Sequence, residues 1–190
     1  MKTITDNIMN QIIIKNSKFI TLIYKLESDN IINILDEIKE NYPKATHYCY
    51  AYKYNEYQKY SDDGEPTGTA GAPIMNVIEK ENLNNILIVV VRYFGGIKLG
   101  AGGLIRAYTK AVTETLKLAK YEELELGYEI KIEFDYNDEK QLNYLLKTCK
   151  IINKNYDEKV TYTVLADKTI INKLHNYKYQ IIKELYIKKY

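Results

Sequence analysis

The sequence has no tryptophan, and it has only two cysteines, three prolines and three phenylalanines in 190 residues. Two cysteines are too few for a small disulfide-stapled domain, so we expect Cys49 and Cys149 to be buried, reduced thiols. No run approaches the roughly 18 apolar residues of a membrane-spanning helix. Asp6 interrupts the start too early for a secretory signal peptide. These absences predict a cytoplasmic protein without a membrane partner.

Neither sign of charge dominates the chain. Lysine and arginine together number 27, and aspartate and glutamate number 25, which gives a net charge of only +2. A hydrophobic content of 46% is typical of a globular protein and excludes a disordered tail or a collagen-like fibre. Any binding of nucleic acid must therefore depend on a local basic patch.

Glycine is scarce, and its distribution is uneven. Eight of the nine glycines fall between Gly64 and Gly103. They belong to two blocks, SDDGEPTGTAGAP at residues 61–73 and VVVRYFGGIKLGAGGLIRAY at residues 89–108. The middle of the chain is therefore built differently from its two ends.

The hydrophobic patterning predicts an α+β fold in two domains, with residues 1–121 and 122–190 as the bounds. The predicted strands of the first domain are 12–14, 19–26, 46–54 and 86–92, and its predicted helices are 29–41, 69–81 and 104–120. We expect residues 55–68 to be polar turns and Thr69 to cap the second helix.

The predicted strands of the second domain are 123–134, 150–155, 159–166 and 180–187, and its predicted helices are 138–147 and 167–176. We expect Asp167 to open the second of these helices. The order of these strands and helices is that of a ferredoxin-like βαββαβ sandwich.

The second block predicts a seat for negatively charged oxygens. Successive glycine amides between a buried strand and a helix N-terminus can form an anion-binding concavity. No Asp or Glu occurs from residue 82 to 113. The predicted anion- or nucleic-acid-binding set is Arg92, Gly95, Gly96, Lys98, Gly100, Gly102, Gly103 and Arg106. The alternative is that these glycines only allow tight turns and close packing of a helix on a sheet.

The common nucleotide-binding motifs do not fit this loop. A Walker loop needs Lys followed by Ser or Thr after its last glycine, whereas Gly100 is followed by Ala101 and Gly102. A dinucleotide fingerprint would need glycine or alanine where Ile105 stands. ATP and NAD are therefore not supported, and we expect no cofactor.

The first block carries three carboxylates, on Asp62, Asp63 and Glu65. Such a cluster can bind a divalent cation or perform acid–base chemistry, or it can be only a solvated turn, which is the interpretation we favour. A zinc site at His47 and Cys49 would need ligands from the second domain, so we expect no metal. The candidate site-lining residues are His47, Tyr48, Asp62, Asp63, Glu65, Thr69 and Tyr93.

Together, the two blocks resemble the signature of the IMPACT/YigZ family, supported by KNSKFIT at residues 15–21 and THYCYAY at 46–52. Ala101 stands where relatives often carry threonine. The resemblance implies a first domain similar to the second domain of a small-subunit ribosomal protein. It also implies a second domain similar to the fifth domain of elongation factor G. The eukaryotic member damps a stress-responsive translation-initiation kinase by competing for its activator.

Three functions remain open from the sequence. The first is a binding module of the translation apparatus that contacts RNA or the ribosome, with Tyr48, Tyr93 or Phe94 stacking on bases. The second is a regulator that binds a translation-factor protein without nucleic acid. The third is an enzyme acting on a small anionic substrate, for which no catalytic residue can be assigned. We rank the binding module first and the enzyme last.

Overall fold

The structure is a computed structural model that describes residues 1–189. It contains both strands and helices. The chain divides into two compact units, one of which is Met1–Glu122. The helices of the first unit are α1 (Ile31–Asn41), α2 (Gly71–Lys80) and α3 (Ala101–Leu116). Its strands are β1 (Lys2–Ile4), β2 (Ile8–Ile14), β3 (Ser17–Lys25), β4 (His47–Tyr54), β5 (Tyr57–Ser61) and β6 (Ile86–Tyr93).

The sheet of the first unit is antiparallel and covered on both faces. Its strand order is β2-β3-β6-β4-β5, so the aliphatic strand β6 lies at the centre. Alternate residues of β6 contribute to two different cores, because successive side chains of a strand point to opposite faces. Ile88 and Val90 pack with α2 and α3, whereas Leu87 and Val89 pack with α1. The unit is a three-layer sandwich.

The structure corrects the expectation that residues 55–68 are only turns. Residues 57–61 form β5, which pairs with β4 across a two-residue loop at Asn55 and Glu56. Asn55 has a φ of 54°, a left-handed conformation that asparagine tolerates better than most residues. The short strand β1 was not predicted at all, and β2 begins four residues before the predicted strand.

Helix α3 is shifted from its predicted bounds of 104–120. It begins at Ala101, because Gly100 has a φ of 71° and its carbonyl already accepts the first helical bond from the Leu104 amide at 2.9 Å. It ends at Leu116. Three of the glycines that were expected to form the loop therefore belong to the start of this helix or to its cap.

The second unit begins at Glu123, inside β7 (Tyr121–Phe134). Its other elements are α4 (Glu139–Leu145), β8 (Lys150–Tyr156), β9 (Val160–Asp167), α5 (Lys168–Lys173) and β10 (Lys178–Lys188). Strands β10, β7, β9 and β8 lie in that order in an antiparallel sheet. Its core joins Ile130, Tyr162 and Val164 to Leu142 and Ile170 of the two helices. The Asp167 carboxylate accepts a bond from the Ile170 amide at 2.8 Å, which makes it the predicted cap of α5.

Candidate anion-binding site

The segment of the first block that carries Asp62, Asp63 and Glu65 is called the acidic turn below. Each of its three carboxylates has a separate structural role. Asp62 accepts hydrogen bonds from the amides of Gly68, Ala70 and Gly71 at 2.8, 3.0 and 2.8 Å. It thereby satisfies the first amides of α2 and places a negative charge at the positive end of that helix. Thr69, the predicted cap, instead donates its hydroxyl to the Pro66 carbonyl at 2.6 Å.

Glu65 and Arg92 form a buried ion pair. Glu65 and Arg92 are only 8% and 4% exposed, and the guanidinium donates to Glu65 Oε1. The same oxygen accepts a bond from the Tyr108 hydroxyl at 2.8 Å, and Glu65 Oε2 lies 3.7 Å from His47 Nε2. Arg92 also donates to Ser17 Oγ at 3.3 Å. Buried charges are tolerable when they are paired and hydrogen-bonded in this way.

Cys49 completes this group, which we call the buried cluster: His47, Cys49, Glu65, Arg92 and Tyr108. The Cys49 thiol lies 3.0 Å from the Asp62 carbonyl oxygen and 3.2 Å from the Tyr108 hydroxyl oxygen, so its single hydrogen has two acceptors within reach. Burial raises the pKa of Cys49 to about 12, although its bond to Tyr108 acts in the opposite direction. Burial and the neighbouring Cys49 also raise the pKa of Tyr108. Both groups are therefore protonated at neutral pH and are poor nucleophiles.

The remaining predicted lining residues are held by internal bonds. Asp63 accepts from the Tyr48 amide at 2.6 Å, and the Asp63 carbonyl lies 2.8 Å from His47 Nδ1. The hydroxyls of Tyr48 and Tyr93 donate to the carbonyls of Tyr42 and Pro43. Both rings pack beside the core between α1 and the sheet. They are less available for stacking on a ligand than the sequence suggested.

The structure also removes part of the predicted anion-binding set. Arg92 is occupied by Glu65, and the Gly95 amide donates to Ser17 Oγ at 3.2 Å. A Cβ atom at Gly95 would lie 2.1 Å from the Asn16 carbonyl carbon, so this glycine permits a close approach of two backbones. Gly96 has a φ of 86° and serves a turn. At Gly95 and Gly96, a tight turn and the close packing of two backbones are therefore sufficient reasons for glycine.

The outer part of the loop remains open to a ligand. Helix α3 has no acidic residue in its first turn and no side-chain cap, and Ala101 and Gly102 are exposed. Arg106 Nη1 lies 3.5 Å from the position that a Cβ of Gly102 would occupy, which places its charge at the start of the helix. Lys98 is exposed in the preceding loop. Within residues 1–189, neither Lys98 nor Arg106 has an ion-pair partner within 4.0 Å.

Three large apolar side chains are exposed at positions close to these two cations in the sequence. Phe94, Ile97 and Ile105 are 46%, 46% and 42% exposed. We call this surface the α3 face: Phe94, Ile97, Lys98, Ile105 and Arg106, with the amides of Ala101 and Gly102. It combines positive charge, uncapped amides and apolar contact area, which suits a ligand that bears phosphate or carboxylate groups.

Among residues 1–189, no carboxylate of the acidic turn forms an ion pair with Lys98 or Arg106, the exposed cations of the basic loop that leads into α3. Asp62 binds the start of α2, Asp63 binds β4, and Glu65 binds Arg92 rather than Lys98 or Arg106. Across the described part of the chain, no three His, Cys, Asp or Glu side chains are grouped to hold a metal ion.

Sequence reasoning missed two members of this region. Ser17 links Arg92 to the Gly95 amide, and Tyr108 links Cys49 to Glu65. Tyr108 lies on the buried side of α3. Its residue type carried a signal, because a buried tyrosine hydroxyl needs a hydrogen-bond partner.

Comparisons with known proteins agree with the resemblance in the two glycine-bearing blocks. Residues 15–116 match the model of the Impact N-terminal domain family. The chain is 37% identical over 174 residues to IMPACT family member YvyE of Bacillus subtilis, covering 86% of this chain and 78% of the relative. It is 33% identical over 151 residues to IMPACT family member YigZ of Escherichia coli, covering 75% and 74%.

A solved structure shares the fold of the whole chain. The structure titled "Crystal structure of an hypothetical protein" matches with a TM-score of 0.74 and 28% identity, over 96% of this chain and 97% of that one. No helix in residues 1–189 is both long and apolar enough to cross a membrane. The family model spans more than half of the sequence and the relatives align along most of it, so the chain belongs to the IMPACT family.

Proposed function

We propose that this chain is a cytoplasmic regulatory protein of the translation apparatus that binds phosphate groups of RNA or of the ribosome through its α3 face. The observation that carries the proposal is the pairing pattern of the basic residues. Arg92 is neutralised inside the unit, whereas Lys98 and Arg106 are exposed beside an uncapped helix start with no acidic neighbour in sequence. The binding set becomes Lys98, Gly100, Gly102, Gly103 and Arg106.

Physical chemistry favours an anion at this position. The first amides of a helix have no partner within the helix, and the helix dipole adds partial positive charge there. Two cations at the same end strengthen the field, and the open setting lets phosphates approach without a large desolvation cost. The exposed ring of Phe94 offers a stacking surface for an unpaired base.

The architecture supports a translation role by analogy alone. We infer that the first unit is the Impact-type domain, with its similarity to a ribosomal-protein domain. We infer that the second unit is a ferredoxin-like domain similar to the fifth domain of elongation factor G. Support for the latter comes from the strand order β10-β7-β9-β8 and from the shared core that the sheet forms with both helices. The proposed domains are residues 1–121 and 122–190.

A protein-binding regulator is the second candidate, because the α3 face also exposes three large apolar side chains. Such residues are typical of the centre of a protein interface. An enzyme acting on a small anion is the third candidate. It has lost its main support, because the carboxylates that would supply acid–base chemistry are bound elsewhere.

Binding to ribosomes and to a structured RNA hairpin across a salt series tests the proposal. We expect the double variant Lys98→Glu/Arg106→Glu to bind far more weakly. Its slope of log affinity against log salt should be smaller by about 2, since each lost phosphate contact removes roughly 0.9. Lys80→Glu is the matched control, because Lys80 is exposed at the end of α2.

Two results would contradict the phosphate-binding function. One is the absence of binding at low salt. The other is equal binding by the double variant and the wild type. Capture of a translation factor that survives nuclease treatment and depends on Phe94 and Ile105 would favour the second candidate.

A further inference from the structure

Strand β5 is an outer edge of the first sheet, and part of its backbone is unpaired. It pairs with β4 alone among residues 1–189, and the hairpin loop closes directly on the Tyr54–Tyr57 pair. That closing pair exchanges hydrogen bonds, so alternate residues of β5 face β4 and the others face away. Gln58 and Tyr60 therefore direct their N–H and C=O groups outward.

Two grooves flank this edge, one on each face of the sheet. The groove on the α1 side has a volume of about 330 Å³ and the groove on the α2 side about 440 Å³. The α1-side groove is lined by Tyr50, Tyr52, Tyr57, Ile32 and Leu35 among others, and the α2-side groove by Gln58, Tyr60, Met75, Asn76 and Glu79 among others. Tyr57 is 74% exposed and Ile32 is 72% exposed.

The grooves and the unpaired backbone match the two needs of an added strand. Main-chain bonds to Gln58 and Tyr60 would hold an extended peptide in register. Its side chains would then alternate between the two faces, with every second one in each groove. A flat edge would offer the bonds without the grooves, and a groove on a helix would offer side-chain contacts without the bonds.

The charges of the two grooves differ, and this difference specifies the peptide. Lys59 lies opposite Tyr52 in the ladder, so its side chain leaves on the α1 side, where Asp29 also lines the groove. These two charges balance, and the rest of that lining is largely aromatic and aliphatic. On the α2 side both Glu79 and Lys59 line the groove. Since the ladder position of Lys59 sends its side chain to the α1 side, Glu79 is the charge that an added strand meets on the α2 side. Among residues 1–189, Glu79 has no ion-pair partner within 4.0 Å.

We propose that β5 binds an extended segment of a partner protein as a sixth strand of this sheet. In that segment, large apolar residues face the tyrosine-lined groove and alternate with Lys or Arg residues that face Glu79. This peptide site is separate from the proposed phosphate-binding function and does not depend on it. The short length of β5 and its Lys59 also guard against uncontrolled self-pairing of the edge.

A random peptide library displayed on phage is the first probe, selected on the full-length protein and counter-selected on Gln58→Pro. Proline removes an outward N–H without removing a bond to β4, and Gln58→Ala is the matched control that keeps the N–H. We expect recovered peptides to alternate apolar and basic residues. Binding should weaken about tenfold with Gln58→Pro, and similarly with Glu79→Lys, but little with Gln58→Ala.

N-methylation of a recovered peptide, one amide at a time, gives the second readout. Methyl groups on the alternate amides that face β5 should abolish binding, whereas those on the other amides should be tolerated. Far-ultraviolet circular dichroism and the melting temperature of Gln58→Pro check that the variant is folded. The Gln58 and Tyr60 amides of the wild type should exchange hydrogen faster than those of Tyr57 and Lys59, and should become protected when peptide binds.

Three results would overturn the proposal. The first is a library that yields no sequence able to distinguish the wild type from Gln58→Pro. The second is a loss of binding on methylation that lacks the two-residue period. The third is a dimer in sedimentation that Gln58→Pro dissociates, which would make a second copy of this chain the occupant of the edge.

Discussion

Arg92 and Arg106 lie only 14 positions apart in one glycine-rich block, yet their surroundings are opposite. Arg92 is buried at the end of β6, where Glu65, Ser17 and two aromatic rings surround its guanidinium. Arg106 is exposed on the first turns of α3, without an ion-pair partner among residues 1–189. The comparison teaches that one sequence block serves two regions, an inner region that holds the fold and an outer region that exposes its cations to solvent.

The largest effect should come from breaking the inner ion pair. Arg92→Met leaves the Glu65 carboxylate buried without its main partner, so we expect a loss of about 3–5 kcal/mol in the free energy of unfolding. Urea denaturation followed by circular dichroism measures this change. Arg106→Met, the outer counterpart, should change stability by no more than about 0.5 kcal/mol.

A double variant separates the loss of the pair from the loss of packing. Arg92→Met combined with Glu65→Leu leaves no unpaired buried charge from the pair, so it should recover part of the stability lost by Arg92→Met. If Arg92→Met and Arg106→Met lost equal stability, the division into an inner and an outer region would be wrong.

The second prediction concerns the anchor of α2. Asp62→Ala removes the acceptor of three amides at the start of this helix, and we expect the free energy of unfolding to fall by about 2–3 kcal/mol. Thermal unfolding measures the change. Glu56→Ala, at an exposed carboxylate of the β4–β5 loop, is the control and should have little effect. A near-neutral Asp62→Ala would mean that the acidic turn is the solvated turn favoured from the sequence.

The third prediction uses the hydroxyl that joins Cys49 to Glu65. Tyr108→Phe removes two hydrogen bonds but leaves Glu65 bound to Arg92, so we expect a loss of about 1–2 kcal/mol in the free energy of unfolding. A thiol reagent at pH 8 gives an independent readout. It should modify Cys149 before Cys49, since Cys49 is fully buried and its pKa is raised to about 12, against about 11 for the partly exposed Cys149.

Preferential labelling of Cys49 in the wild type would contradict the closed geometry of the buried cluster. Faster labelling of Cys49 in Tyr108→Phe, with Cys149 unchanged, would show that the hydroxyl helps to keep the cluster closed.

The fold was more predictable than the pairing of the polar side chains. Strand β6 was expected at 86–92 and is found at Ile86–Tyr93, because a nearly continuous aliphatic run is typical of a strand covered on both faces. Strand β5 was not expected, because Tyr57–Ser61 has no alternation of apolar and polar residues and its five residues are mostly exposed. Its conformation depends on pairing with β4, which local sequence does not encode.

The inner region of the site could not be predicted for a different reason. Sequence shows which residues carry charge, but not which charges meet, and Glu65 and Arg92 are separated by 27 positions. The basic loop was recognised from its lack of acidic residues, and for Lys98 and Arg106 ligand binding stays a prediction. It failed for Arg92, because the acidic partner lies in the other block and reaches it only through the fold.

The smallest expected effect lies in the outer region, at Gly102. Its φ is not in the left-handed range, and an added Cβ would meet only Arg106 Nη1 at 3.5 Å. Since glycine weakens a helix relative to alanine, Gly102→Ala should stabilise the protein by about 0.5–1 kcal/mol, measured by thermal unfolding. Gly100→Ala, at a φ of 71°, should instead destabilise it by about 1 kcal/mol. If Gly102→Ala also weakens RNA binding while it raises the melting temperature, glycine at this position serves the close approach of a ligand rather than the fold. Unchanged binding would assign Gly102 no part in recognition and leave Lys98 and Arg106 as the binding groups of the outer region.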